Sequence, residues 1–305
     1  MPSIPDFQRY RPIIDDWTAF QQALRRPLPR CIWANPQKTT TDDLETYLRD
    51  ASIAVEPIPW RRGAYRLIDC PNPGSRFGYI AGLYQVQEEA SMLPVSLMGL
   101  SSQQRILDLC AAPGSKTTLM AATDGQRASI IANDRNYHRM APLARSIDRL
   151  GLTNISLLTE DGTNLPSSVG TFDRVLVDAP CSGEGTSRKI PGLSAASDDD
   201  FARLCSVQRA LLKRALELCR PGGRVLYSTC TYAPEENEAI VDSILREFGD
   251  QWSLVPARIA GFSAAPGLVR WGDQSFDPSL SKALRVYPHH QDTGGFFIAV
   301  LDHQG

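Results

Sequence analysis

Residues 105–117 read Arg105-Ile106-Leu107-Asp108-Leu109-Cys110-Ala111-Ala112-Pro113-Gly114-Ser115-Lys116-Thr117. A short apolar strand pattern runs into a loop of small residues, and a helix is predicted behind it over 117–122. Small residues let a backbone approach a ligand closely, and the start of a helix offers free N–H groups. The same alternation recurs outward along the chain. Strands are predicted at 129–133, 155–159, 172–177 and 224–227, and helices at 137–150 and 201–218, with Pro221-Gly222-Gly223 read as the stop of the last helix. Strands alternating with helices imply βαβ units and an α/β fold with a mostly parallel sheet. Right-handed crossovers then place ligands at the C-terminal strand ends. The apolar run Gly294-Gly295-Phe296-Phe297-Ile298-Ala299-Val300 comes so late that only a long crossover or an antiparallel hairpin inserts it.

Upstream, short strands are predicted at 31–35, 53–56 and 65–68. A helix opens at Thr41-Asp42-Asp43-Leu44-Glu45 with Thr41 or Asp42 as its N-cap, and Pro71-Asn72-Pro73-Gly74 is a turn cluster. The expected organisation is a small α/β domain over 1–95 and a larger sheet domain over 96–305. With 42% hydrophobic and 22% charged residues, a disordered chain is excluded. No apolar run reaches the roughly 18 residues that a membrane span needs. Met1-Pro2-Ser3-Ile4-Pro5-Asp6 is no signal peptide, so a cytoplasmic protein without a membrane partner is expected.

The net charge of −2 argues against indiscriminate nucleic-acid binding, but leaves room for a local basic groove. Ten of the eleven basic residues in the first hundred are arginines, the type suited to bidentate phosphate contact and base stacking. Arg25, Arg26, Arg30, Arg61 and Arg62 are candidate phosphate contacts. The seven cysteines are odd in number and none are spaced C-x-x-C, and only four histidines exist. Neither a disulfide framework nor a metal site is expected. Cys31, Cys70, Cys205 and Cys219 read as structural, the last two on one face of the helix predicted at 201–218.

If ligands bind at strand ends, functional residues should follow each strand. Cys110 to Lys116 follow the first, Asp134 the second, Asp161-Gly162 the third, Asp178-Ala179-Pro180-Cys181 the fourth and Ser228-Thr229-Cys230 the fifth. A lone Asp at a strand end is commonly a helix cap; five such positions together point to a site. An acidic residue after the second strand suits a pair of ribose hydroxyls. Gly114-Ser115-Lys116-Thr117 fails as a P-loop because Ser115 separates Gly from Lys and position 109 is Leu, and the loop has no G-x-G-x-x-G. It fits a nucleoside ligand without a pyrophosphate, such as S-adenosylmethionine.

Three motifs together are very specific: residues 107–116, Asp178-Ala179-Pro180-Cys181-Ser182-Gly183-Glu184-Gly185, and Ser228-Thr229-Cys230-Thr231. They resemble the Sun/Nop-type RNA cytosine-C5 methyltransferases. Pro234-Glu235-Glu236-Asn237-Glu238, Tyr287-Pro288-His289 with Gly294-Gly295-Phe296-Phe297, and Gln87-Glu88-Glu89-Ala90-Ser91-Met92-Leu93-Pro94 resemble further segments of that family. The resemblance covers about 27–301. Within the family it is nearest to the bacterial RsmF-type enzymes of small-subunit ribosomal RNA, here without their C-terminal extension. Trp33 stands where the family has Arg before Asn35.

The resemblance implies a Rossmann-like class I methyltransferase sheet with a late antiparallel strand, behind a small N-terminal RNA-binding domain. It implies S-adenosyl-L-methionine as cofactor, RNA as partner, and 5-methylcytosine in ribosomal RNA as product; a monomer is expected. The same chemistry on transfer RNA and a non-catalytic RNA-binding protein are the alternatives. A DNA methyltransferase is disfavoured by the lack of a target-recognition insert. Cofactor contacts are expected from Cys110, Ala111, Ala112, Pro113, Gly114, Ser115 and Lys116. Asp134 would meet the ribose, Asp161 the adenine, and Asp178 both the methionine end and the base, with Arg139 beside them. Arg188 and Lys189 correspond to positions near the RNA backbone.

Cytosine C5 is a poor nucleophile until a thiolate adds at C6, so the chemistry needs a nucleophilic Cys and a group that favours charge at N3. The base must also be unpaired or flipped. Position alone leaves the nucleophile open between Cys181 and Cys230. The resemblance assigns it to Cys230, with Cys181 assisting product release and Asp178 polarising the base.

Overall fold

In the computed structural model, which describes residues 7–123, 127–190 and 198–305, the chain begins with an arm. The Met1–Asp6 stretch read above for a signal lies outside the described residues. The arm is a 3-10 turn, Gln8–Ile13, followed by helix α1 (Trp17–Leu24), which Asp16 caps by accepting the Ala19 N–H at 2.8 Å. Phe7, Tyr10, Ile14 and Phe20 are buried against Tyr232 and Tyr287 of the C-terminal half. Phe7 and Phe20 each meet Tyr232 edge-on at 5.4 Å, a favoured aromatic geometry.

The chain then forms β1 (Arg30–Ala34), α2 (Thr41–Asp50), β2 (Val55–Pro57), β3 (Ala64–Leu67), α3 (Phe77–Ile80) and β4 (Tyr84–Val86). The strands pair antiparallel in the order β2-β3-β1-β4. Ile32, Leu44, Leu48, Tyr65 and Tyr84 form the core between this sheet and its helices. The N-cap of α2 is Thr40, not Thr41 or Asp42. Thr40 has the extended backbone that a cap requires; its hydroxyl accepts the Asp43 N–H at 3.1 Å and donates to the Asp43 carboxylate at 2.7 Å.

The second half runs α4 (Leu93–Leu97), β5 (Arg105–Asp108), α5 (Ser115–Thr123), β6 (Ser129–Asn133), α6 (Tyr137–Leu150), β7 (Ile155–Leu158), β8 (Phe172–Asp178), α7 (Asp198–Leu218), β9 (Cys219–Thr229) and α8 (Glu238–Phe248). It closes with β10 (Trp252–Val255), β11 (Ala265–Pro266), the β12 (Arg270–Trp271) and β13 (Gln274–Ser275) ribbon, β14 (Leu284–Val286), α9 (Pro288–Gln291) and β15 (Phe296–His303). Strands β7-β6-β5-β8-β9 are parallel. β15 lies antiparallel beside β9, so the late strand enters as the antiparallel member. Its other edge pairs with β14 and then β10, neither of which the apolar pattern revealed.

Alternate residues of each central strand face opposite layers, as the period of 2 demands. Ile106, Ile130, Leu176, Leu226 and Ile298 face one core with α4 and α5; Leu107, Val175, Val177, Val225 and Phe297 face the other with α7 and α8. Residues 116–122 of α5 are all buried, which is why this helix shows no polar face. Two expectations change. Pro221-Gly222-Gly223 is not the stop of α7; the helix ends at Leu218, and Cys219 already pairs with Phe172. The tripeptide is an excursion inside β9, where the register to β8 shifts before Arg224 meets Arg174, and Gly222 supplies a φ of +70° there. Cys219 therefore belongs to a strand and shares no helix face with Cys205.

Candidate active site

The C-terminal ends of β5, β6, β8 and β9 converge, because four parallel neighbours necessarily release their following loops at one sheet edge. Asn133, at the end of β6 and fully buried, ties the ends of β5, β6 and β7 together. Its amide donates to Leu109 O at 3.2 Å and Glu160 O at 3.1 Å, and its carbonyl accepts the Glu160 N–H at 3.0 Å. Ala111 N–H donates to Asn133 O at 2.7 Å, so the small-residue loop is anchored to the second strand. Gly114 has φ +108°, and a Cβ there would lie 2.4 Å from Leu143 Cδ1; only glycine allows α6 to sit this close.

Asp134 is 5% exposed and accepts from Ala112 N at 3.2 Å and Asn136 N at 2.9 Å. Arg139 donates to Ala112 O at 2.7 Å and lies 3.7 Å from the Asp134 carboxylate, bracing loop and acid together. Asp161 is exposed and caps a short 3-10 turn, accepting from Thr163 N at 2.9 Å and Thr163 Oγ1 at 2.8 Å; those bonds hold its carboxyl below the ordinary value. The Cys110 thiol is pushed well above its ordinary pKa by burial and by the carboxylates of Asp108, Asp134 and Asp178, so it is neutral and unreactive.

Lys116 turns across the site rather than into the loop. Its ammonium is 2.6 Å from Asp178 Oδ2 and 4.9 Å from the Phe296 ring centre. Burial alone would lower its pKa; Asp178 outweighs that and keeps it above the ordinary value, hence charged. Ser228 Oγ donates to Asp178 Oδ1 at 2.8 Å, so both carboxylate oxygens are held. Beneath them Asp108 is buried, with Thr117 donating to Oδ2 at 2.6 Å and Oδ1 without a partner. Burial lifts its pKa to about 7 against the opposing Thr117 bond.

Cys181 and Cys230 meet. Their sulfurs are 3.4 Å apart, and Cys230 N–H donates to Cys181 Sγ at 3.3 Å. They lie 49 residues apart in the chain, and β8–β9 pairing brings them together. The hydrogen bond to Cys230 and burial both push the Cys181 thiol well above its ordinary pKa. The loop around Cys181 rests on Glu236, which accepts from Ser182 N at 2.9 Å, Ser182 Oγ at 2.5 Å and Gln208 Nε2 at 2.8 Å. Glu184, whose pKa burial raises, accepts from Tyr10 OH at 2.7 Å and Thr231 Oγ1 at 3.1 Å, linking the arm to this loop. Gly185 N–H donates to Cys230 O at 2.9 Å, and Gly295 N–H to Gly185 O at 2.9 Å.

Gln208 and Tyr10 carried no sequence signal. Gln208 lies inside a long amphipathic helix and Tyr10 in the arm, and neither is near a motif in the chain. Arg188, expected near the RNA backbone, is held within the chain. Its side chain has no exposed surface, and the guanidinium donates to Arg26 O at 3.1 Å, Pro27 O at 2.8 Å, Thr293 O at 2.8 Å and Asp292 Oδ1 at 2.7 Å. Every donor nitrogen is used internally, so Arg188 ties loop to arm; Lys189 is exposed. Trp33 donates to Gln87 Oε1 at 2.9 Å, and the buried Asn35 amide donates to Gly82 O and Leu150 O, each at 2.9 Å, joining the two halves. Arg25, Arg26, Arg30 and Arg62 are exposed, whereas Arg61 is half-buried and bonded to Ser96 and Thr123 hydroxyls.

Residues 95–302 match the family model described as 16S rRNA methyltransferase RsmB/F, and residues 7–89 match the N-terminal domain of 16S rRNA methyltransferase RsmF. The ribosomal RNA small subunit methyltransferase F of Erwinia tasmaniensis is 34% identical over 306 residues, covering 98% of this chain and 62% of that protein. The human 28S rRNA (cytosine(4447)-C(5))-methyltransferase is 36% identical over 293 residues, covering 94% of this chain and 36% of that protein. The chain thus spans less than two thirds of either relative's length. A methyltransferase homolog protein from Pyrococcus horikoshii has a crystal structure that superposes with a TM-score of 0.83 at 30% identity, covering 93% of this chain and 89% of that one. With the model matching the whole sheet and both cysteine loops, the chain belongs to the 16S rRNA methyltransferase RsmB/F family.

Proposed function

We propose that this chain methylates C5 of cytosine in ribosomal RNA, using S-adenosylmethionine and a covalent Cys230–C6 adduct, and that it works in the cytoplasm as a monomer. The observation that carries this reading is the contact of two thiols at adjoining strand ends, beside the Lys116–Asp178 pair. The residues present fit the cofactor. Ala111, Ala112 and Gly114 leave the loop without bulky side chains, and the Asp134 and Asp178 carboxylates suit ribose hydroxyls and a cationic methionine end. Arg139 braces that wall, and Asp161 faces the adenine. When bound, S-adenosylmethionine supplies an electrophilic methyl group.

The chain's own residues do the rest. Cys230, its thiol proton released to solvent, bonds through Sγ to cytosine C6, and the C5=C6 electron pair moves toward C5 and N3, which takes up a proton. Asp178, fixed on both oxygens, meets the N3 and amine edge and accepts from the protonated N3, which favours the addition; N3 gives up that proton when the base is released. Once C5 carries the methyl, loss of the C5 proton to solvent restores the double bond and expels Cys230. Cys181, against the departing sulfur, assists that release. Arg25, Arg26, Arg30, Arg62 and Lys189 are the exposed cations offered to phosphates, while Arg188 acts as a positioning residue. That both relatives are named for ribosomal RNA supports this substrate over transfer RNA.

The test is Cys181→Ala incubated with cofactor and total bacterial RNA, followed by a denaturing protein gel. A slowed, RNase-sensitive band is expected, and sequencing its RNA identifies the substrate. Trapping by Cys230→Ala instead would reverse the two roles. Absence of a band with both variants, together with no methyl transfer by the unmutated chain, would refute the enzymatic reading.

A further inference from the structure

Asp15, His289 and His290 form a cluster that the site above does not use. Each offers one ligand atom, and the three atoms lie within 4.8 Å of one another. His289 Nε2 is 2.8 Å from Asp15 Oδ1, and His290 Nε2 is 3.0 Å from Oδ1 and 2.9 Å from Oδ2. The histidines belong to α9 and the acid to the arm, 274 residues away in the chain, so no ligand spacing was visible in the sequence.

The two rings are held in place before any ligand arrives. His289 stacks on Tyr287 at 5.9 Å and meets Phe20 edge-on at 6.1 Å; His290 meets Tyr287 edge-on at 5.6 Å. Both Nδ1 atoms are buried without a partner, so the polar contacts of both rings are made through Nε2, at one focus. Asp15 is fixed from both sides, by buried Ile14 and by Asp16 capping α1, while its own side chain is 65% exposed.

We propose that Asp15, His289 and His290 bind a divalent transition cation of the zinc class, with solvent as fourth ligand on the open Asp15 side. Two imidazole nitrogens and one carboxylate oxygen are a donor set that such ions favour. A tetrahedral site with bonds of about 2.0–2.1 Å has edges of about 3.3 Å, and both imidazole–carboxylate distances, 2.8 Å and 2.9 Å, lie within about half an ångström of that edge. The ion pins the arm to the sheet domain. The same arm supplies Tyr10 to Glu184 beside the Cys181 loop.

The experiment uses the untagged full chain, stripped with chelator and titrated with Co2+, then Zn2+. Expected are visible d–d bands that saturate at one Co2+ per chain, without thiolate charge-transfer bands, and their loss on adding Zn2+. Asp15→Asn should weaken binding more than about tenfold, and His290→Ala should abolish it. No cobalt spectrum overturns the proposal, as does a thiolate spectrum or unchanged binding in both variants. If His290→Ala fails to fold, the exposed, isosteric Asp15→Asn and the spectrum of the unmutated chain still decide it.

Discussion

Asp108→Asn tests whether the site is floored by a carboxyl that resists ionisation. Asp108 is 1% exposed, Thr117 bonds one oxygen, and the other has no partner. Burial raises its pKa from 3.8 to about 7. Between those values the native state holds a proton that the unfolded chain has released. Stability to unfolding therefore falls as pH rises, by about 1.4 kcal/mol per unit. This group's contribution is fully present below about pH 4 and lost above about pH 7, a total near 4 kcal/mol. The amide of Asp108→Asn is isosteric and does not titrate. Urea unfolding of both proteins from pH 4.5 to 8 isolates the effect, because the other titrations cancel in the difference. The wild type should lose stability relative to the variant by about 3–4 kcal/mol across that range. A difference that stays flat with pH would refute the assignment.

Three further outcomes follow from the geometry. Asp134→Ala should raise the cofactor dissociation constant by about ten- to a hundredfold in calorimetry, the worth of one or two charge-assisted hydrogen bonds, with the far-ultraviolet spectrum unchanged. Gly295→Ala places a Cβ 2.2 Å from Tyr232 Cε1, and Tyr232 is locked between the arm and Tyr287; methyl transfer and melting temperature should both drop. Glu238→Gln strips the charge partner from Arg285, a guanidinium 2% exposed that also donates to Tyr232 O at 2.9 Å. Chemical denaturation should show a loss of about 3–5 kcal/mol.

The five parallel strands were legible because each ends in a short apolar run followed at once by a loop, a local pattern that needs no knowledge of partners. Strands β10 and β14 were not, since each has only three or four residues and is defined by pairing with β15. The Pro221-Gly222-Gly223 reading failed for a related reason. These residues serve a turn equally well after a helix or inside a strand, and the Phe172–Cys219 pairing decided which. Arg188 shows the same limit for side chains: a basic residue in a polar loop reads as exposed until four acceptors from distant segments surround it.

By itself the sequence determined the α/β class, the small-residue loop after β5, the strand-end acids and the two cysteine motifs. These depend on periodicity and residue type over a few positions. The tertiary structure decided that the Cys181 and Cys230 sulfurs touch, that Lys116 crosses to Asp178, and that the arm reaches Glu184 and the His289–His290 pair. Those contacts join residues up to 275 positions apart. They arise only when the sheet order and the burial of both its faces bring strand ends and the arm together, and no local pattern encodes that.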